Sequence, residues 1–158
     1  MTNLLNRTTA TRENALTDDE REAFLAEKRV GRLASNREDG WSHVTPIWYV
    51  WEDGRFFLSL GNSRRHLRNV ARDPHVTLCV DEDLRMSDLS KAPRSVVCFG
   101  LAKLVDDEQT VRDRTKKMEL RYLGEAGGPE LDELLWFEGR TVVEITPVRW
   151  LAWDQGKG

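Results

Sequence analysis

Apolar and polar residues alternate in short blocks along most of this chain, and the blocks change period in ways that predict its elements. Thr17-Asp18-Asp19-Glu20 has the spacing of a capping box ahead of Phe24 and Leu25, which predicts a short helix running to about Lys28. VGRLAS (30–35), WSHVTPIWYVW (41–51) and RFFLSL (55–60) read as strands separated by the turn pairs Asp39-Gly40 and Asp53-Gly54. Their order predicts a three-stranded antiparallel meander. VTLCVDE (76–82) and SVVCFGLAKLV (95–105) are two further strands rich in Val, Phe and Leu, joined by a polar loop from Asp83 to Arg94.

Residues 107–123 change to a sparse apolar stripe, Val111, Met118 and Tyr122 among many charges, which predicts an exposed helix packed along a narrow face. A glycine-rich connection follows at Gly124–Gly128, without the spacing of a dinucleotide-binding loop. RTVVEITP (140–147) and RWLAW (149–153) read as two late strands broken by Pro147. The pattern therefore predicts a mainly β protein with short helices (α+β), six or seven antiparallel strands curled into a barrel rather than laid out as an open parallel sheet. Residues 1–16 are polar and aperiodic and are expected to form a flexible tail ahead of one domain at 17–158.

The formal net charge of -3 supplies no overall attraction to nucleic acid, and no window has the length and apolarity of a membrane helix or a secretory signal. A cytoplasmic protein that binds neither nucleic acid nor membrane is the expectation. Cys79 and Cys98 sit inside apolar runs as expected buried thiols, and His43, His66 and His75 lack metal-ligand spacing. Metal binding and nucleophilic hydrolysis are accordingly not expected, and no residue stands out as a general acid. Six tryptophans, Trp41, Trp48, Trp51, Trp136, Trp150 and Trp153, fall on or beside predicted strands, where large aromatics fill cores and interfaces or form a wall for a planar ligand.

Against that acidic background, SLGNSRRHLRNVARDP (59–74) concentrates positive charge. Gly61-Asn62-Ser63 reads as a turn with Ser63 as N-cap of a helix from about Arg64 to Arg72, stopped by Asp73-Pro74 and buried through Leu67, Val70 and Ala71. Arginines in a first helical turn face the positive end of the helix dipole, a conflict that a bound anion removes. A phosphate clamp formed by Ser63, Arg64 and Arg65 is one reading, with Arg68 and Arg72 too far along the helix to join it. A solvated basic face with Asp73 and other acids as partners is the other.

The order VTPIWYVWEDGRFFLSLGNSRRHLRNVARDPHVTLCVD resembles the pyridoxamine 5'-phosphate oxidase-like flavin-binding split-barrel family, and the likeness extends from about Asp18 to Trp153. The resemblance implies a split β-barrel homodimer with the cofactor site at the interface. It implies that Ser63, Arg64 and Arg65 hold the phosphate of FMN or of the deazaflavin coenzyme F420, with His66 standing where many members carry Lys. It also implies that the cofactor ring lies along Thr45, Pro46, Ile47 and Trp48 and along Ser59 and Leu60. An oxidoreductase transferring hydride between that cofactor and a small unsaturated or planar substrate is the function it implies. A non-enzymatic flavin or haem-type carrier or sensor is the alternative on the same barrel. The ending RTVVEITPVRWLAWDQGKG lacks the Arg-rich substrate-phosphate segment of pyridoxamine phosphate oxidase itself. Arg140, Glu144 and Arg149 are open to reaching a partner subunit's site or to ordinary surface ion pairs.

Overall fold

The computed structural model describes residues 13–82, 93–124 and 139–157. The glycine-rich connection, most of the polar loop after Glu82 and Trp136 lie outside them. Among the described residues are seven strands and three helices, in the order α1 (Asp18–Ala26), β1 (Gly31–Asn36), β2 (Ser42–Ile47), β3 (Val50–Glu52), β4 (Arg55–Gly61), α2 (Arg65–Arg72), β5 (His75–Asp81), β6 (Arg94–Val105), α3 (Glu108–Leu123) and β7 (Arg140–Asp154). All strand pairs are antiparallel and the sheet order is β2-β1-β5-β6-β7-β4-β3. No described helix is long and apolar enough to cross a membrane.

The capping box forms as the sequence predicts: Glu20 N–H donates to the Thr17 hydroxyl at 3.2 Å, and Thr17 N–H donates to the Glu20 carboxylate at 2.7 Å. The helix stops at Ala26, two residues early, because Glu27 turns extended and joins Arg29 and Arg94 in ion pairs.

The expected meander does not form. The run 41–51 divides at Trp48-Tyr49; β2 pairs with β1, whereas β3 pairs with β4 at the other end of the sheet. Side-chain burial decides the break. The Tyr49 ring is fully buried and its hydroxyl donates to the Leu25 carbonyl at 3.2 Å, while the Tyr122 hydroxyl accepts from Tyr49 N–H at 3.1 Å. Because three Cα steps span at most about 11 Å, Ile47 and Val50 bring the two ends of a seven-stranded sheet close together. The sheet therefore curls into a barrel left open between β2 and the β4-β3 hairpin.

The two expected late strands are one, β7, which is 15 residues long. Pro147 is accommodated at a bulge: Phe99 pairs with Arg149 and Gly100 with Pro147, so Val148 is the extra residue. The β4 pairing begins at Phe56 opposite Ile145, so β7 has only β6 beside it from Thr146 until Asn14–Leu16 meets Ala152–Asp154, and in that stretch a missing N–H is tolerated. Gly100 is required there, since a Cβ would come within 2.5 Å of Ile145 Cγ2.

Inside the curl, Leu33, Leu58, Leu78, Val80, Val96, Val143 and Ile145 form the main core with Phe24, Tyr49 and Phe56. Trp51 and Trp150 pack against it, and Trp51 also donates to Glu22 at 2.6 Å. Met118 and Val111 of α3 close a second cluster with Phe57 and Val142. The opposite sheet face exposes Val44, and a second hollow of about 600 Å³ there is lined by exposed Leu101 and Val148 and half-buried Phe99 together with polar residues such as Asn36 and Arg149. Trp41 is exposed rather than part of the core. Cys79 and Cys98 are free thiols, the first half-buried and the second buried.

A candidate cofactor cavity at the open seam

Where the ends of the sheet approach each other, a cavity of about 870 Å³ opens, within the size range of small-molecule and cofactor pockets. Its wall contains Thr45, Pro46, Ile47 and Trp48 from the end of β2, Ser59 and Leu60 from β4, and Ser63, Arg64, Arg65 and His66 from the turn into α2. These are the ten residues singled out from the sequence. Val30, His43, Gly61, Arg68, Met118 and Arg140 complete it, and among the described residues no Asp or Glu lines it.

Two of these segments carry free backbone edges for a topological reason. β2 is the end strand of the sheet, so alternate N–H and C=O groups point away from β1. β3 is only three residues long and covers β4 no further than Phe57, which leaves one edge of Leu58–Gly61 without a strand.

The basic end differs in detail from the expectation. α2 begins at Arg65, one residue late, with Arg64 as an extended N-cap that makes no side-chain capping bond. The N-cap is thus Arg64 and not Ser63, because Arg64 N–H closes the turn onto Gly61 O at 2.9 Å. Ser63 is exposed and uncommitted, and among the described residues the N–H groups of Arg65 and His66 meet no backbone acceptor. No carboxylate pairs with Arg64, Arg65 or Arg68 among the described residues. Asp73, an expected partner of this face, instead accepts from Asn36 at 2.8 Å and lies 2.7 Å from His75 Nδ1. Arg68 also reaches the wall, contrary to the expectation that it stands clear, whereas Arg72 donates to the Asn36 carbonyl at 2.5 Å.

The helix is anchored by polar residues that the apolar pattern passed over. Ala71 is exposed, and His66 and Asn69 are buried beside Leu67 and Val70. Both meet the buried Ser35 of β1: Asn69 Nδ2 donates to its hydroxyl at 3.0 Å, and His66 Nδ1 lies 2.9 Å from it. Ser35 Oγ thus ties Asn69 and His66 together, with the direction of the His66 bond set by the imidazole tautomer. His66 Nε2 has no partner among the described residues. The His43 ring stacks on His66 at 4.2 Å. Burial, then His43 and Arg64, pull the His66 pKa down to about 4, so the ring is neutral at pH 7.

Trp48 sits at the crossing point with one face stacked on Tyr122 at 4.7 Å and nearly parallel to it. Ser59 is buried, and its polar atoms are already engaged: Arg140 Nε donates to its hydroxyl at 2.8 Å, Arg140 Nη2 donates to its carbonyl at 3.0 Å, and Thr115 Oγ1 lies 2.6 Å from Oγ. Arg140 is thereby brought into the same chain's cavity. Local sequence gives no sign of this, because the partners are 81 positions apart. Glu144 pairs with Arg55 at 3.3 Å, and Arg149 lies over the Phe99 ring on the opposite sheet face.

The donor set fits a phosphate-bearing planar cofactor. An uncommitted hydroxyl, first-turn N–H groups and unneutralised guanidinium forks stand at one end, and apolar walls with free strand edges lie alongside.

Comparison with curated proteins finds no match. Among solved structures, the conserved hypothetical protein Rv2991 from Mycobacterium tuberculosis superposes with a TM-score of 0.79 at 25% identity, covering 93% of this chain and 90% of that one. A structure described as an F420 reductase gives 0.64 at 23% identity, over 82% of this chain and 94% of that one. The haem storage protein HutZ from Vibrio cholerae gives 0.66 at 21% identity, over 89% and 96%. Likeness at this level establishes a shared fold. The sequence profile of pyridoxamine 5'-phosphate oxidase matches residues 17–154, nearly the whole described barrel, and the chain belongs to that family.

Proposed function

We propose that the seam cavity binds a flavin-type cofactor, FMN or coenzyme F420, and that the protein is an oxidoreductase acting on a small unsaturated or planar substrate. The carrying observation is that one cavity, with no acid among the described residues of its wall, gathers the clamp residues Ser63, Arg64 and Arg65 with the wall segments Thr45–Trp48 and Ser59–Leu60. In this reading the arginine forks and first-turn N–H groups hold the phosphate. The free edge of β2 meets the polar rim of the ring, and Trp48, backed by Tyr122, forms an aromatic wall. The cofactor supplies the hydride chemistry, and the chain supplies orientation, charge and exclusion of water. His66, neutral and tied to Ser35, stands in the wall as an uncharged imidazole rather than as a cation replacing the Lys of other members.

The open seam and the apolar outer face support a homodimer whose partner covers Val44, Leu101 and Val148 and closes the site. Sedimentation analysis is expected to give a dimer, and Leu101→Asp with Val148→Asp is expected to give a monomer. An unaltered dimer in that variant places the interface elsewhere.

Titration of the purified protein with FMN and with F420, followed by absorbance and tryptophan fluorescence, tests the cofactor reading. Low-micromolar or tighter binding of one of them is expected, weakened at least tenfold by Arg64→Ala with Arg65→Ala. Binding of neither refutes it. The carrier or sensor reading takes its support from the stacked His43 and His66 imidazoles, each with a buried nitrogen lacking a partner among the described residues. It predicts a cofactor that stays bound and unchanged through addition of electron donors and acceptors.

A further inference from the structure

Arg140 opens β7 directly across from Gly61 of β4, and its side chain is turned toward Ser59 in the cavity wall. Nε and Nη2 are fixed on the Ser59 hydroxyl and carbonyl, and Ser59 is braced in turn by the fully buried Thr115 of α3. Every partner in this chain is neutral. Arg94 and Arg114 meet the carboxylates of Glu82 and Glu52, Arg121 meets the Leu25 and Glu27 carbonyls, and among the described residues no carboxylate reaches Arg140. The remaining donors of the fork are left to the cavity, whose wall holds no acid among the described residues. A part-buried guanidinium oriented only by dipoles keeps its field uncompensated until an anion arrives.

We propose that Arg140 is a second anion-accepting position, separate from the helix start, that faces the polar edge of the cofactor ring and favours its reduced form. The proposal rests on the cofactor reading above. Its location distinguishes it from the clamp, since it is held at the Ser59–Leu60 wall and not at the Ser63–Arg65 turn. Addition of two electrons and one proton to a neutral oxidised ring leaves one negative charge on that ring. A fixed cation beside the charge stabilises the reduced form without having to reorganise. Arg140 takes the place at this wall that the sequence pattern gives to Ser59, whose oxygens are spent on holding it.

The test compares wild type, Arg140→Gln, Arg140→Lys and Arg64→Ala with Arg65→Ala, measuring dissociation constants for oxidised and reduced FMN and F420 and the midpoint potential of whichever is bound. Arg140→Gln keeps a donor for Ser59 but loses the charge. It is expected to lower the preference for the reduced form at least tenfold, which for a two-electron couple is about 30 mV toward more negative potential. Arg140→Lys is expected to retain the preference within threefold, and the clamp double variant to weaken both forms alike. Melting followed by circular dichroism confirms that each variant is folded. Equal weakening of both forms by Arg140→Gln, or no change in their ratio, overturns the proposal and leaves the cofactor reading standing. If wild type binds neither cofactor, both fall.

Discussion

Two arginine clusters in this barrel have opposite surroundings. At the outer end of β5 and β6, Arg94 grips Glu82 through Nε at 3.0 Å and Nη2 at 2.6 Å, and Arg29 reaches the same carboxylate at 2.7 Å. Glu27 completes the group, and both guanidinium planes lie against the Phe24 ring, at 4.3 and 5.0 Å. Arg94 holds the Glu82 pKa down to about 2. At the seam, Arg64, Arg65, Arg68 and Arg140 share a wall that holds no acid among the described residues. The first cluster is complete within the chain and ties α1 to the sheet. The second lacks its counter-charge, and that separates a structural use of arginine from a ligand-binding one.

The comparison predicts unlike responses to mutation. Glu82→Gln leaves two part-buried guanidinium groups with only the more exposed Glu27 as counter-charge and is expected to destabilise the protein by about 2 kcal/mol in urea unfolding. A loss under 0.5 kcal/mol would show the first cluster to be no more structural than the second.

Acid separates the regions in a second way. The folded pKa of His66 lies below the ordinary 6.5, so the unfolded chain binds more protons between pH 6.5 and about 4, and stability falls as pH drops through that window. The loss is on the order of 2 kcal/mol, and His66→Gln is expected to flatten it. For Glu82 the window is lower: stability present above pH 4.5 is lost as pH falls toward 2. Unfolding midpoints measured from pH 7 to 3 resolve the two, and a His66→Gln curve parallel to wild type contradicts the buried neutral imidazole.

The smallest expected effect is on the seam arginines in the ligand-free protein. Arg64→Ala is expected to change stability by less than about 0.5 kcal/mol, in the stabilising direction, because it removes a cation from the positive end of α2. Marked destabilisation would mean that Arg64 has a structural partner.

The parts of this account visible in the sequence are those written in consecutive residues. Thr17 and Glu20 announced α1, and the Ser63-Arg64-Arg65 run located the basic end of the cavity. The division of 41–51 was hidden because its cause, burial of Tyr49 against Leu25 and Tyr122, comes from distant elements. Pro147 suggested a strand break because the limit of the β4 pairing and the bulge facing Gly100 are properties of pairing. His66 and Asn69 were passed over as core residues since only Ser35, more than 30 positions away, makes their burial favourable. Arg140 entered the cavity through the β4–β7 register, which no local pattern encodes.

A crystal structure of the protein with FMN or F420 bound tests the central claim most directly. The account predicts phosphate density enclosed by Ser63, Arg64 and Arg65 and ring density between Thr45–Trp48 and Ser59–Leu60. Cofactor density in the hollow beside Phe99 and Val148 within a single chain, with the seam arginines free of any anion, would contradict it.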